Sequence, residues 1–195
     1  AQDVGAQALG HIAENRHIRS SLYDAVARQK GLALLAPASV KNLAVNSGGA
    51  LVTLADGGEI AASLVVAAEG RDSALRAQMG ITTIGWSYPQ TGIVATVEHE
   101  RPHNGVAYKH FLPSGPFAIL PMTGNRSSLV WTEKNSRAGA MLKLPDAEFD
   151  AEIARRFGSH LGKTKAAGPR WSYPLRFHLA RAYVKPRFAL AGDAA

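Results

Sequence analysis

The sequence predicts an α+β protein: an antiparallel or mixed sheet with helices, attached to an incomplete α/β portion. Two observations support this fold class. The apolar segments 63–68 and 187–191 each run into a turn that holds a glycine and an acid, as strands of open α/β sheets often do. Between them lie four short segments of strand composition bounded by turn residues, which is typical of an antiparallel sheet: 91–97, 106–112, 117–121 and 127–132.

Apolar spacing and turn residues predict the remaining elements. Apolar residues recur at the helical spacing of about 3.6 residues in 15–29 and in 146–157, which predicts two helices. We expect the second of these helices to cross the sheet. Residues 46–49 read N-S-G-G, a hairpin signal between two strands. The other predicted elements are a helix over 73–79 and strands over 32–35, 39–45, 50–54, 63–68 (covered on both faces), 171–179 and 187–191.

The composition describes a globular chain with a basic excess. Its 195 residues are 46% apolar, which is enough for a hydrophobic core, and no run of 18 apolar residues is present. The net charge of +7 fits an anionic partner, either nucleic acid, an anionic membrane or a nucleotide phosphate. The arginines are scattered and not interleaved with stacking aromatics, which argues against nucleic acid. The absence of cysteine fits a reducing compartment, so we expect the cytoplasm.

Two motifs resemble known binding sequences but lie in the wrong structural context. His99, Glu100 and His103 have the spacing H-E-x-x-H, which binds zinc when it lies on a helix. Pro102 would interrupt that helix, so a strand end and a turn are favoured. Residues 158–164 resemble a phosphate loop but have one residue too few between the glycines, which favours a glycine helix cap. We therefore expect no metal site.

Two acidic turns carry the strongest functional signal. Residues 69–73 read E-G-R-D-S and lead into a predicted helix, and residues 192–195 read G-D-A-A. A carboxylate only accepts hydrogen bonds, so Glu69 and Asp193 are suited to ribose or ribityl hydroxyl groups. Taken alone, the first turn is equally consistent with a strand-to-helix connection that Asp72 or Ser73 caps.

Together the two turns resemble the D-G-x-x-S-x-x-R and G-D-A-A motifs of flavin-dependent aromatic hydroxylases of the para-hydroxybenzoate hydroxylase type. The resemblance covers nearly the whole chain. Further stretches make the sequence most similar to the polyprenyl-methoxyphenol hydroxylases of ubiquinone biosynthesis: L-G-H (9–11), E-N-R (14–16), F-L-P-S-G-P-F-A-I-L-P-M (111–122), S-S-L-V-W (127–131) and Y-P-L-R (173–176).

This resemblance implies an enzyme that reduces FAD with NAD(P)H, activates O2 and hydroxylates an electron-rich phenol. Residues 1–80 would form part of the FAD-binding domain, 81–175 the substrate-binding sheet domain, and 176–195 the return to the FAD-binding domain. The protein must then hold the phenol ring and exclude water, which requires an apolar pocket and no acid-base pair.

The resemblance also assigns site residues, none of them catalytic. The cofactor contacts are Asn15, Arg16, Glu69, Gly70, Ser73, Arg76, Gly192 and Asp193. The substrate pocket consists of Phe111, Phe117, Leu120, Pro121 and Trp131. For the aromatic side chains of this pocket, ordinary sheet core is the alternative interpretation.

The sequence departs from the family pattern in three places. Glu69 stands where the family has aspartate, and neither the G-x-G-x-x-G turn nor the histidine-containing loop after G-D-A-A is present. We therefore expect the chain to be the central piece of a longer enzyme, truncated at the Gly-Asp turn. In isolation it should hold no FAD and be inactive, and it should self-associate through an exposed strand edge.

Two alternatives remain open from the sequence. The first keeps the chemistry but replaces the polyprenyl phenol with a small soluble aromatic substrate, which needs no long apolar tunnel. The second, of another class, is a basic module that binds nucleic acid or a membrane surface. The leading hypothesis implies a lipophilic phenolic substrate, no nucleic acid, and peripheral contact with the inner membrane.

Overall fold

The computed structural model describes residues 10–195. Four α-helices and eleven strands occur in this part of the chain, in the order α1 (Asn15–Arg28), β1 (Val40–Asn46), β2 (Gly49–Leu54), β3 (Glu59–Ala62), β4 (Val65–Ala67), α2 (Ala74–Gln78), β5 (Thr83–His99), β6 (Tyr108–Leu112), β7 (Gly115–Pro121), β8 (Arg126–Lys134), α3 (Asn135–Leu142), α4 (Asp146–Phe157), β9 (Thr164–Ala180), β10 (Val184–Lys185) and β11 (Phe188–Leu190). A 3-10 turn, Gly192–Ala194, follows the last strand. This combination of helices with antiparallel and mixed sheets confirms the predicted α+β fold class.

The chain folds as two compact units. The sheet unit consists of residues 10–29 and Tyr88–Leu175, and the turn unit consists of Lys30–Ser87 and Arg176–Ala195. The sheet-unit boundary after Leu175 coincides with the predicted end of the substrate-binding domain, whereas α1 groups with the sheet and not with the first acidic turn. None of the described helices is long and apolar enough to span a membrane.

The sheet unit is built on a five-stranded sheet in the order β6-β7-β8-β5-β9. The strands β6, β7, β8 and β5 pair antiparallel, with Phe117 opposite Trp131 and Ile93 on the next strand in the same row. Alternate side chains of β5, β7 and β8 are buried and pack against α3 and α4, and partly buried residues of β6 pack against the same core. On α4 the buried residues Phe149, Ile153 and Phe157 follow helical spacing, so one apolar stripe of the helix covers one face of the sheet.

The turn unit contains two small sheets. One is the antiparallel meander β1-β2-β3, and the other has the order β10-β11-β4. The hairpin predicted at 46–49 is confirmed, because Asn46 pairs with Gly49 and its Oδ1 accepts hydrogen bonds from the amides of Gly48 and Gly49 at 2.8 and 3.1 Å. The core of this unit is made of smaller side chains than that of the sheet unit; it contains Leu43, Ala50, Val52, Ala67, Leu75, Ile81, Ala180, Phe188, Leu190 and Ala194.

Several predicted elements need correction. Residues 32–35 form no strand, and three of their leucines are about half exposed. The strand predicted over 63–68 is limited to β4, and the prediction that it is covered on both faces is wrong, because Val66 is 54% exposed. The elements β3 and α3 were not predicted; β3 depends on pairing with β2, which local sequence does not specify.

Candidate functional site

The two acidic turns follow neighbouring parallel strands. The strands β4 and β11 pair in parallel, with Val65 opposite Phe188 and Ala67 opposite Leu190. The Ala191 amide extends this ladder by donating to the Ala67 carbonyl at 2.9 Å. Because paired strands lie about 5 Å apart, the two turns begin side by side at the carboxyl end of the same sheet. This edge is where open α/β sheets bind ligands.

The first turn is organised by the Glu69 carboxylate. Its Oε1 atom accepts hydrogen bonds from the Ser73 hydroxyl at 2.9 Å and from the Leu75 amide at 2.8 Å. Ser73 is the N-cap of α2, since its Oγ accepts from the Arg76 amide at 3.0 Å. Glu69 therefore satisfies a free amide at the start of α2. Of the two capping candidates that the sequence offered, Ser73 holds the position and Asp72 does not.

Arg76 connects the two turns directly. Its side chain is buried, and Nη1 donates to the Ala194 carbonyl at 3.0 Å while Nη2 donates to the Arg71 carbonyl at 2.8 Å. One guanidinium thus bonds to the backbone of both turns. In this structure Arg76 acts as a positioning residue, and both of its terminal nitrogens are engaged with the protein.

The second turn leaves its carboxylate free. Asp193 is exposed, and among the described residues its side chain has no hydrogen-bond or ion-pair partner. Gly192 has φ +59° and Gly70 has φ +91°, both in the left-handed region that glycine adopts most readily. A Cβ added to either glycine would meet no other atom within 4 Å, so there is open space beside both turns.

These features fit a polar ligand with several hydroxyl groups. The turns supply one unpartnered carboxylate and the second oxygen of Glu69, next to backbone that a ligand can approach closely. A flavin nucleotide has hydroxyl groups that can donate hydrogen bonds to a carboxylate. The short helix α2 has its amino end already bonded to Ser73 and Glu69, so it offers fewer free amides than a long helix would. The residues present are therefore compatible with one side of a dinucleotide.

The remaining predicted cofactor residues, Asn15 and Arg16, lie on the first turn of α1 in the sheet unit. Both are exposed, and the Arg16 Nε atom pairs with a carboxylate oxygen of Glu14 at 2.9 Å. Helix α1 buries none of its residues. Their assignment as flavin contacts remains a prediction.

The predicted pocket residues divide between the two faces of the sheet. Phe117 and Trp131 are fully buried with Phe149, and the Arg156 guanidinium lies 4.1 Å from the Trp131 ring. By strand alternation Pro121 lies on the same face, at the end of β7. Leu120 and Phe111 lie on the opposite face, where Phe111 is 80% exposed. Phe117 and Trp131 are therefore part of the sheet core, which is the alternative interpretation given above for the aromatic residues.

The open face of the sheet holds apolar residues that sequence reasoning missed. Ala118, Val130 and Val94 stand opposite one another on three neighbouring strands, on the face away from α3 and α4. All three keep some exposed surface. The signal that could have found them is the two-residue alternation within each strand, which separates Ala118 from Phe117 once one face is known to be covered.

Comparison with known proteins agrees with this geometry. Residues 25–195 match the model of a family described as FAD binding domain. The chain is 50% identical over 197 residues to the ubiquinone hydroxylase UbiL of Rhodospirillum rubrum, covering 100% of this chain and 46% of that protein. It is 33% identical to the 3-demethoxyubiquinol 3-hydroxylase of Escherichia coli, covering 100% of this chain and 50% of that protein. The chain thus spans about half the length of the curated relatives it matches.

Solved structures show the same fold. The flavin-dependent halogenase CmlS superposes with a TM-score of 0.74 at 16% identity, over 94% of this chain and 35% of that chain. At this low identity the similarity shows the fold and nothing about function. The family match over residues 25–195 and the ubiquinone hydroxylases among the relatives confirm the resemblance to flavin-dependent hydroxylases that the sequence predicted. The chain belongs to the FAD-binding domain family.

Proposed function

We propose that this chain is part of a flavin-dependent monooxygenase that hydroxylates a polyprenyl phenol in ubiquinone biosynthesis with FAD, NAD(P)H and O2. The observation that carries the proposal is the pair of acidic turns on neighbouring parallel strands, one of which ends in an unpartnered carboxylate. The printed names of the relatives, a ubiquinone hydroxylase and a demethoxyubiquinol hydroxylase, support the same substrate class.

In this proposal some residues of the turn unit contact the cofactor and others position the two turns. Asp193 accepts hydrogen bonds from flavin hydroxyl groups, and Gly192 and Gly70 allow the ligand to approach the backbone. Glu69, Ser73 and Arg76 fix the geometry of the two turns through the bonds described above. The FAD, when bound and reduced, supplies the oxygen chemistry, so the protein needs no acid-base pair of its own.

The open face of the sheet supplies an apolar surface for the phenol. Leu120, Ala118, Val130 and Val94 form an apolar floor, and Phe111 extends it on the edge strand β6, where Lys109 stands opposite Ala118 and lies over the Phe111 ring. Such a surface orients a lipophilic ring and excludes water from it. Leu120 and Phe111 are the members of the predicted pocket that this proposal retains.

Flavin content tests the cofactor part of the proposal. We expect Asp193→Asn in the natural protein to weaken FAD binding about tenfold to a hundredfold, the effect of losing one charge-assisted hydrogen bond. Glu59→Gln is the matched control, since Glu59 is exposed on β3, outside the two turns. Equilibrium dialysis against FAD measures both variants. Equal affinity in Asp193→Asn and the unchanged protein would contradict the proposal.

Product analysis tests the reaction. The natural protein loaded with FAD should add one oxygen atom to a polyprenyl phenol in the presence of NAD(P)H, as mass spectrometry of the extracted lipid would show. Leu120→Asp should reduce turnover by placing a charge on the proposed floor, whereas Glu98→Gln, at an exposed site near the end of β5, should not. Hydroxylation of only small soluble phenols would favour the alternative substrate class.

Two finer properties belong to the same proposal. A net charge of +7 and a lipophilic substrate favour peripheral binding to anionic membranes, which co-sedimentation with vesicles that contain anionic lipid would detect. Equal sedimentation with and without such vesicles would contradict the proposed membrane binding.

The free edge of β4 favours self-association. Among the described residues β4 pairs only with β11, and Leu64, just before β4, and Val66, within it, are more than half exposed. We expect light scattering of the chain to show a mass that rises with concentration. A constant monomer mass at high concentration would exclude this.

A further inference from the structure

The sheet unit contains a cluster of four histidines that the proposed function does not use. His99 and His103 come from the H-E-x-x-H motif, His110 lies on β6, and His160 follows α4. His99 is the last residue of β5 and not part of a helix, and none of the described residues form a group that could hold a metal ion. The motif therefore has a role other than zinc binding, or none.

The rings pack around the C-terminal end of α4. His160 stacks on Phe157 with ring centroids 5.3 Å apart and planes inclined by 10°, and it lies 4.4 Å from the Tyr108 ring. The His110 ring lies 6.3 Å from that of His160, and the His99 ring lies 6.3 Å from that of Phe157. The cluster thus joins the end of α4 to strands β5 and β6.

Hydrogen bonds fix the orientation of these rings. His103 Nε2 donates to the Met122 carbonyl at 2.8 Å, so its Nδ1 is the acceptor for the Gly105 amide at 3.0 Å. A proton on Nδ1 would remove that second bond. His110 Nδ1 donates to the Arg156 carbonyl at 3.0 Å, and His99 Nδ1 donates to the Arg101 carbonyl at 2.7 Å.

His160 is the member least able to carry a charge. Its Nε2 atom is buried and has no hydrogen-bond partner among the described residues. Burial lowers the pKa of His160, and the neighbouring His110 and His99 lower it further. The ring would therefore bring an unpaired positive charge into an aromatic environment if it took up a proton.

Nearby charges do not compensate such a proton. The Glu152 carboxylate on α4 pairs with Arg155 and Arg156, and Arg156 also faces Glu133 on β8 at 3.6 Å. The Glu100 carboxylate after β5 accepts from the Lys163 amide at 3.0 Å. No ion pair in the described part of the chain involves a histidine.

We propose that this histidine cluster is an acid-sensitive contact: its rings hold the C-terminal end of α4 on the sheet, and proton uptake at His160 releases that end. The unfolded state binds the proton more readily than the folded state does, so stability falls as pH drops below about 6.5. One such proton raises the unfolding equilibrium constant by at most about tenfold for each pH unit below that value.

Substitution of His160 tests the contact in the full chain. His160→Phe keeps an aromatic ring against Phe157 and Tyr108 but cannot take up a proton. We expect its unfolding equilibrium constant to rise less than that of the unchanged chain between pH 7.5 and 5.5, by a factor of up to about ten, measured by urea denaturation. His17→Gln, an exposed site on α1, is the control and should leave the pH dependence unchanged. Identical pH dependence in His160→Phe and the unchanged chain would overturn the proposal.

Measurements on the unchanged chain decide the question even if the variant does not fold. The protection factor for amide exchange, which corrects for the intrinsic pH dependence of the exchange rate, should fall on acidification at Arg101, whose N–H donates to the Leu161 carbonyl at 3.0 Å next to the cluster. The protection factor at Val52, in the meander of the turn unit, should not fall to the same extent. A nuclear magnetic resonance titration that finds the His160 pKa at or above 6.5 would overturn the proposal.

Discussion

The sheet unit and the turn unit differ in what fills their cores. The sheet unit buries four large aromatic rings completely, those of Phe117, Trp131, Phe149 and Phe157. The turn unit buries one such ring, Phe188, among alanines and aliphatic side chains, and its parallel strands are only three residues long. Apolar packing dominates the first unit, whereas polar bonds to backbone groups organise the functional end of the second.

This difference shows how two neighbouring turns can be ordered with little apolar packing. In the turn unit the bonds of Glu69, Ser73 and Arg76 determine the backbone positions of both acidic turns. Each such bond contributes about 1–3 kcal/mol, and its loss leaves a buried partner unsatisfied. We therefore expect single substitutions to have large global effects in the sheet unit and smaller, local effects in the turn unit.

The largest effect is expected from the aromatic core. Phe149→Ala should lower the free energy of unfolding of the sheet unit by about 3–5 kcal/mol, because the cavity left beside Trp131 cannot collapse. Urea denaturation followed by near-ultraviolet circular dichroism measures the change. Phe111→Ala is the control, since Phe111 is 80% exposed, and should change stability by less than about 0.5 kcal/mol. Equal losses in both variants would contradict this description of the core.

The next effect is expected from the guanidinium that connects the turns. Arg76→Met should destabilise the turn unit by about 2–3 kcal/mol, because the Ala194 and Arg71 carbonyls lose a charged donor. Faster amide exchange at Ala191 and Leu75 would show that the loss is local. Arg71→Met is the control, because the exposed Arg71 side chain makes no bond in the structure. An unchanged exchange rate at both amides would contradict the positioning role.

A smaller effect is expected from the cap of α2. Ser73→Ala removes the bond to the Arg76 amide and the bond donated to Glu69, which should destabilise the turn unit by about 1 kcal/mol. Thermal unfolding is sufficient to detect it. Ser63→Ala, at an exposed site before β4, should have almost no effect. If the two alanine variants unfold at the same temperature, Ser73 does not cap α2 in solution.

The smallest effect is expected on the surface of α4. Arg155 and Arg156 lower the pKa of Glu152, so its contribution to stability is present above pH 4.5 and is lost as the pH falls through the lower folded-state pKa. Glu152→Gln should be slightly less stable at pH 7, and the difference should disappear in acid. Melting temperatures from pH 7 to pH 3 measure this. Glu98→Gln, without an ion pair, should show no such convergence.

Sequence reasoning succeeded where local chemistry decides the structure. The hairpin at Asn46, the helix over 146–157 and the cap of α2, for which the sequence offered Asp72 or Ser73, each depend on residues within one or two turns of chain. It failed where pairing with distant segments decides, as for residues 32–35 and for β3. It also could not tell which face of β7 the helices cover, so Phe117 entered the predicted pocket together with Leu120, although only Leu120 lies on the open face.

The position of Arg76 has a thermodynamic consequence for ligands. Its single side chain bonds to the carbonyl oxygens of both turns, so a molecule that stabilises one arrangement of Ala194 also stabilises the start of α2. By linkage, if a ligand binds the Asp193 turn more tightly when Arg76 bridges the two turns, a substitution that stabilises this bridge also tightens the binding of that ligand.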